Sequence, residues 1–309
     1  LSIGESEFMQ LLADHFHHVR DFAFFEGPLG LRWDLPKIAG FQITKFMVLQ
    51  VIAALLTFLV FRGLATRVRS GGPTKGRFWN FWEALALFVR DEVVRPTVGD
   101  EHHDHDDVHE HDDNRHGHAH GDYQCREESL SGHHSDRFLP YIWSCFFYIL
   151  FCNLLGAIPM LGSPTGAIAV TGVLAVCTFV YNVVQGAKSQ GGLGTFIVNQ
   201  CPSLGLEGVM KYAIGFGLWC IEVLGFFIKH GVLAVRLFAN IMGGHTVVGV
   251  ILGFIAMDSV SGSILPVVIF GSVVGQVFIG LLELFVAFLQ AYVFAYLATI
   301  FLSSSLHAH

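Results

Sequence analysis

Charge is what this chain has least of. Only 14% of its 309 residues are Asp, Glu, Lys or Arg, whereas soluble proteins carry about 25%. The last 172 residues, after Arg137, hold eight of them: Lys188, Glu207, Lys211, Glu222, Lys229, Arg236, Asp258 and Glu283. A segment so poor in charge cannot keep a surface facing water, which excludes a soluble globular enzyme and makes a multi-span membrane protein the default. Cysteine is also scarce. The six, Cys125, Cys145, Cys152, Cys177, Cys201 and Cys220, form no CxxC pair, and most lie in apolar runs. They read as small hydrophobes, not as a disulfide or zinc framework. Proline is missing between Pro202 and Pro266, so nothing there stops a long helix. Phe (29) and Gly (34) are plentiful, as suits helices packed against lipid and against one another. The net charge of −7 misleads, because twelve of the 25 acids lie in residues 99–137. Nothing points to nucleic acid as a partner; lipid is the expected surroundings.

The expected fold class is an all-α polytopic membrane protein with about five spanning helices. Residues 1–40 form an N-terminal extension broken by Pro28 and Pro36, with 6–26 as a candidate interfacial helix. The first span is 41–61. Residues 62–98 make a basic loop and an amphipathic helix, and the arginines and lysine of 62–77 come without an acid. The excess of positive charge puts that loop on the inner face, and 78–95 is too charged to span and is expected to lie along it. Residues 99–137 contain ten histidines among acids and read as a solvated, low-complexity loop. A hairpin of spans follows over 138–187, closed at Pro159 and Gly162-Ser163-Pro164, then a loop over 188–206. Residues 207–303 read as two overlong apolar helices turning at 256–263. At 1.5 Å per residue, 48 residues reach about 70 Å, so each helix must tilt strongly or break. The chain starts at Leu1 without Met, which suggests a removed targeting segment or a late start.

The long helices carry polar stripes. Glu222, Lys229 and Arg236 recur every seven residues, with Asn240 four further on; Gln276, Glu283 and Gln290 do the same on the last helix. Seven steps of ~100° return to nearly the same face. Two facing stripes would make a hydrophilic path through an apolar bundle, and ionisable residues inside a membrane mark ion or proton routes by default. Blander readings stand beside this one. Glu222 and Lys229 near a helix end can snorkel, and Gln276 and Gln290 can simply bond between helices. Arg236, in the middle of GVLAVRLFANIM, is harder to explain that way.

AVRLFANIMGGHTVVG and LLELFVAFLQAYVFAYLATIFL resemble the two signature segments of subunit a of the F-type, mitochondrial-type ATP synthases. RFLPYIWSCFFYILFCNLLGAIP is similar to that family's first hairpin, and IEVLGFFIKHGVLAVRLFAN to its arginine helix. The likeness covers 138–303 well and 40–98 loosely. It implies a stator subunit that is not an enzyme by itself and needs no cofactor, and that works against a ring of c subunits beside other stator and peripheral-stalk subunits. It assigns Arg236 to the face opposing the ring. His245, nine residues beyond, and Glu283 take the family's paired positions in the mitochondrial arrangement, and Gln290, Asn240 and Glu222 match polar channel positions. With the missing Met, this suggests a mitochondrial inner membrane, with a bacterial plasma membrane as the alternative.

The chemistry fits those residue types. A rotor carboxylate must be protonated when it faces lipid and ionised at the stator, and a fixed cation lowers its pKa there. Arg stays charged in a low-dielectric site where Lys would lose its proton. The same charge repels a proton attempting a direct crossing, and so separates two half-channels. His titrates near neutrality and a carboxylate can pass protons with it, which suits His245 and Glu283 as the entrance on the outer side, with Glu222 toward the exit. The runner-up is a zinc transporter. HHDHDDVHEHDD resembles the loops of such proteins, with His102, His103, His105, His109 and His111 as weak surface ligands. A zinc path needs His or Asp pairs within the spans, and an intramembrane arginine is a poor neighbour for a divalent cation. A pure scaffold leaves both stripes unexplained.

Overall fold

The structure is a computed structural model that describes residues 24–26, 32–38, 41–69, 76–98, 134–158, 162–199, 209–255 and 265–306. It is helical apart from two very short antiparallel hairpins, β1 (Phe24–Glu26) with β2 (Arg32–Asp34) and β3 (Lys37–Ile38) with β4 (Phe41–Gln42). Five helices are long and apolar enough to cross a membrane. The chain is an all-α polytopic membrane protein. The interfacial helix expected over 6–26 lies outside the described residues except at 24–26, which are extended.

The first long helix, α1 (Lys45–Arg69), starts later than Phe41 and runs beyond residue 61. Phe41 and Gln42 belong to β4, and the Gln42 side chain donates to the Leu35 carbonyl at 3.1 Å, which holds the entry extended. At the other end, Arg62, Arg67 and Arg69 are helical, not loop. A helix can leave the hydrocarbon without ending, since its backbone bonds are satisfied internally. The Arg67 guanidinium sits 4.0 Å from the centre of the Trp79 ring, and Trp79 packs directly on Gly63, where any Cβ would overlap the ring.

The amphipathic segment is one continuous rod. Helix α2 (Arg77–Phe88) passes through a π-helical stretch, Val89–Val94, into α3 (Arg95–Val98). Trp82, Leu85, Ala86, Val89, Val93 and Val94 are buried, while Phe78 and Phe81 are exposed. It is not among the candidate spans. Its buried face meets the second span, α4 (Leu139–Gly156). Trp82 packs against Phe147 and Phe151, and the Trp143 indole donates to the Ala86 carbonyl at 2.9 Å. On its polar side, Arg90 donates to Asp91 at 2.8 Å, which holds that carboxyl below its ordinary range. Arg95 reaches Asp136 with two nitrogens at 3.3 and 3.2 Å. The two chain ends flanking residues 99–133 are therefore fastened together. The His-rich loop itself lies outside the described residues.

Helix α4 is the centre of the bundle. Ile142, Phe146, Phe147, Ile149 and Cys152 are fully buried among α1, α2 and the last helix. A tight turn leads on: Gly162 has φ 70°, and a Cβ on Gly156 would collide with Ser163. Then come α5 (Ile168–Ser189), α6 (Leu193–Asn199), α7 (Val209–Ile255) and α8 (Leu265–Leu306). The segment 188–206, expected as loop, contains α6. Gly191 and Gly192, with φ of 81° and 154°, make the turn into it, and Phe196 is buried beneath. The Gly-rich punctuation conceals a helix of only seven residues, too short to show periodicity. Helix α7 has 47 residues and α8 has 42, about 70 and 63 Å long. The turn between them, with Asp258, lies outside the described residues.

Candidate functional site

The site stands where α7 and α8 pack along each other. Two contacts fix their antiparallel register. The Glu283 carboxylate rests against Gly244, where a Cβ would lie 2.8 Å from Oε1, and Gly275 sits against Ile251, 3.9 Å from such a Cβ. Counting from these contacts along antiparallel helices of equal rise sets Arg236 level with Gln290 and Ala291. A side chain at 244 would have to displace the carboxylate, so glycine there is what lets Glu283 cross to the α7 backbone one residue before His245. The same count sets Gln276 near the Ile251 level.

Arg236 is half-buried between Leu233, Ala234 and Leu237, which are buried, and Val232 and Val235, which are exposed. Its Nε and Nη2 are shielded and make no hydrogen bond among the described residues. A guanidinium has five N–H donors, and leaving them shielded and unbonded is costly. The arrangement thus leaves room at Nε and Nη2 for an acceptor that the described residues do not supply. Gln290, on α8, is buried at 6% exposure. Asn240, His245, Gln276 and Glu283 are half-buried. Among the described residues no side-chain hydrogen bond joins Arg236, Asn240, Gln276, Glu283 or Gln290, so the stripes form a loose polar seam and not a closed network.

Glu222 behaves differently. It lies 3.9 Å from Lys229, both are about half exposed, and the two form an ion pair two turns apart on the open side of α7. Two stripe members therefore pair with each other in the N-terminal half of α7. His102, His103, His105, His109 and His111 lie outside the described residues.

Among the buried polar residues, the sequence patterns do not single out Asn153, Thr165, Asn182 and His230. Asn153 on α4 donates to the Ala287 carbonyl of α8 at 3.3 Å and accepts from Thr165 at 2.9 Å, and Thr165 in turn lies 2.7 Å from Ser163. Ala287 is one turn from Glu283, so this bond anchors the stretch of α8 that presents the carboxylate. Asn182 on α5 lies 3.2 Å from His230 on α7. Heptad spacing passes over them, since none stands seven residues from a charged side chain. The signal available was the cost of any lone polar side chain in a span.

These features define a membrane protein that lines a polar seam between two long helices, with one arginine in the middle. A family model described as ATP synthase A chain matches residues 122–303. The chain is 35% identical over 271 residues to "ATP synthase subunit a" of Myxococcus xanthus, covering 85% of this chain and 73% of that one. It is 33% identical over 316 residues to "ATP synthase subunit a" of Anaeromyxobacter dehalogenans, covering 95% and 70%. Against "ATP synthase subunit a 2" of Chlorobaculum tepidum it is 33% identical over 293 residues, covering 93% and 70%. The chain belongs to the family of ATP synthase a subunits. It is accordingly a component of an ATP synthase, working with other subunits of that complex, and not an enzyme by itself. These relatives are bacterial. They give no support to the mitochondrial membrane expected from the His245 and Glu283 arrangement, and they suit the bacterial alternative. Membership of this family also leaves the zinc-transporter alternative without support.

Proposed function

We propose that the chain is the proton-conducting stator of a bacterial ATP synthase in the plasma membrane, with two half-channels separated by Arg236. The observation that carries this is the Arg236 head group, mid-helix, half-buried, with Nε and Nη2 unbonded within the described residues. A ring of c subunits, each bearing a carboxylate, would bring the missing acceptor. When such a carboxyl arrives, the guanidinium favours its ionised form and takes the proton's place as counter-charge. When the carboxylate turns on toward lipid, it must pick up a proton first, because an unpaired charge in hydrocarbon is expensive.

His245 and Glu283 take the entrance. The carboxylate held at Gly244 stands beside the imidazole's own turn, which suits proton exchange between them, and Gln276 lies further toward the same end. Glu222 takes the exit side, with Lys229 moderating its charge. Gln290, level with Arg236, orients the passing carboxyl by hydrogen bonding, and Asn240 lines the step between arginine and entrance. Protons then leave only by riding the ring, which couples flow to rotation.

Proton-driven ATP synthesis in vesicles carrying equal amounts of assembled complex tests the reading. Arg236→Ala is expected to stop synthesis, and Arg236→Lys to fail as well, since a desolvated lysine neutralises and lacks the planar fork. Near-normal synthesis with Arg236→Lys sinks the proposal.

A further inference from the structure

His230 has a place in the fold that the proton path does not use. It lies on α7 at 3% exposure. Phe226, Phe179 and Phe301, from α7, α5 and α8, surround its ring at centroid distances of 4.8, 5.3 and 5.1 Å. Nδ1 is 2.9 Å from the Phe226 carbonyl. A carbonyl only accepts, so Nδ1 carries the hydrogen; in the neutral ring Nε2 is then the lone-pair side. Nε2 faces the Asn182 amide nitrogen of α5 at 3.2 Å, which donates to it. Both ring nitrogens are thus engaged and the rest of the ring is walled by aromatics. A ring with both nitrogens engaged and almost no exposed surface is a poor relay and a good peg.

What it pegs is the rotation of α7. Arg236 is six residues further on, about 9 Å along the axis and roughly 120° around it. Among the described residues the guanidinium makes no hydrogen bond from Nε or Nη2 that would hold it in place, so its direction follows the helix. On the outer side α7 presents Ile228, Val232 and Val235, all exposed, while Phe227 stacks on Phe179 of α5 at 4.8 Å. On the inner side Leu233 and Leu237 are buried, but apolar contacts tolerate a small turn of the helix. A hydrogen bond is directional and weakens steeply when bent.

We infer that His230, bonded to Asn182 across the α5–α7 contact, is the positioning residue that sets the rotation of α7 and so aims Arg236 at its acceptor. This rests on the proposed role of Arg236.

The test measures proton-driven ATP synthesis, its pH profile and ring cross-linking in assembled complexes at matched amounts. His230→Ala should lower synthesis about fivefold or more, the scale of one orphaned buried hydrogen-bonding group. His230→Gln, whose amide reaches about where Nε2 lies, should restore most of it without any titrating group. Asn182→Leu should match His230→Ala, and the double variant should be no worse than either alone, as for two halves of one contact. The pH profile should keep its shape throughout. A cysteine at Val232 or Val235 should cross-link to cysteines on the ring helices, and His230→Ala should change which of the two is preferred. Wild-type synthesis in His230→Ala, additive losses, or a Gln variant as poor as Ala would overturn the inference, and so would a displaced pH profile, the mark of a relay. If His230→Ala fails to assemble, the Gln variant and the cross-linking pattern of Asn182→Leu decide. Unchanged cross-linking in Asn182→Leu sinks the peg alone; no cross-linking to the ring in any background sinks the role of Arg236 with it.

Discussion

Helices α4 and α7 are both apolar, yet the chain treats them in opposite ways. In the most apolar stretch of α4, 61% of residues are buried within the chain; in α7 the figure is 17%, and in α8 22%. Helix α4 is enclosed by α1, by the amphipathic α2–α3 rod and by α8, with Phe146 and Phe147 fully buried. Helices α7 and α8 each give one face to the bundle and leave the other bare, with Ile228, Val235, Phe278, Leu281 and Phe285 exposed. In a membrane, lipid tails are as apolar as these side chains, so burial alone does not drive helices together; packing and hydrogen bonds do. The bundle invests both in α4, through the aromatic cluster and the Asn153 bond, and makes it a rigid post. It leaves α7 and α8 held on one side, with the arginine at the margin of the held face. The proposed role as a stator against a moving partner calls for this combination of a fixed frame and an uncommitted face.

The contrast yields graded expectations. The largest is at the post. Phe147→Ala removes a ring packed against Trp82 and Phe61. In lipid the water-transfer part of the usual cost falls away and the cavity part remains, about 2 kcal/mol for a void of roughly 100 Å³. The thermal midpoint of the detergent-solubilised chain should fall clearly, whereas Phe278→Ala on the bare face should leave stability within about 0.5 kcal/mol of wild type. Equal effects would mean that the two regions are not held differently.

Next comes the seam. Gly244→Val puts a branched side chain where Glu283 now rests. The carboxylate must swing away, and proton-driven synthesis should drop about tenfold, a typical cost of a displaced functional group, with assembly unchanged. Gly243→Val, whose added Cβ meets nothing, should cost little. If both behave alike, the Gly244–Glu283 contact has no part in proton entry.

The smallest effect is expected from deleting residues 101–134. The flanking segments are already fastened by the Arg95–Asp136 pair at 3.2–3.3 Å, so α4 does not depend on the loop for its position. Synthesis by the deleted form should stay near wild type. Loss of coupled synthesis in a complex that still assembles would show that the His-rich segment does more than occupy solvent.

Much of this was legible in the residues. Hydrocarbon imposes one rule, that every backbone group be satisfied within the segment, and the chain obeys it with long uncharged runs that read as spans. Heptad spacing placed Glu222, Lys229 and Arg236 on one stripe, because a helix repeats its face nearly every seven residues whatever its neighbours do. Helix ends were less legible. The first span enters at Lys45 and runs on to Arg69, since nothing in a run of Leu and Val marks where water begins.

What the order of residues alone determined is therefore local: which stretches are helical, which face of each is polar, and which side chains are too costly to be idle. Only the tertiary structure decided what meets what. That Glu283 crosses to Gly244, that Glu222 pairs with Lys229, and that His230 finds Asn182, 48 residues away, all depend on the register between helices distant in the chain, or on the rotamer chosen within one. The physical reason is that spacing fixes directions around an axis, while distance across a bundle is fixed by close-packed volumes summed over every helix at once, and no single helix contains that sum.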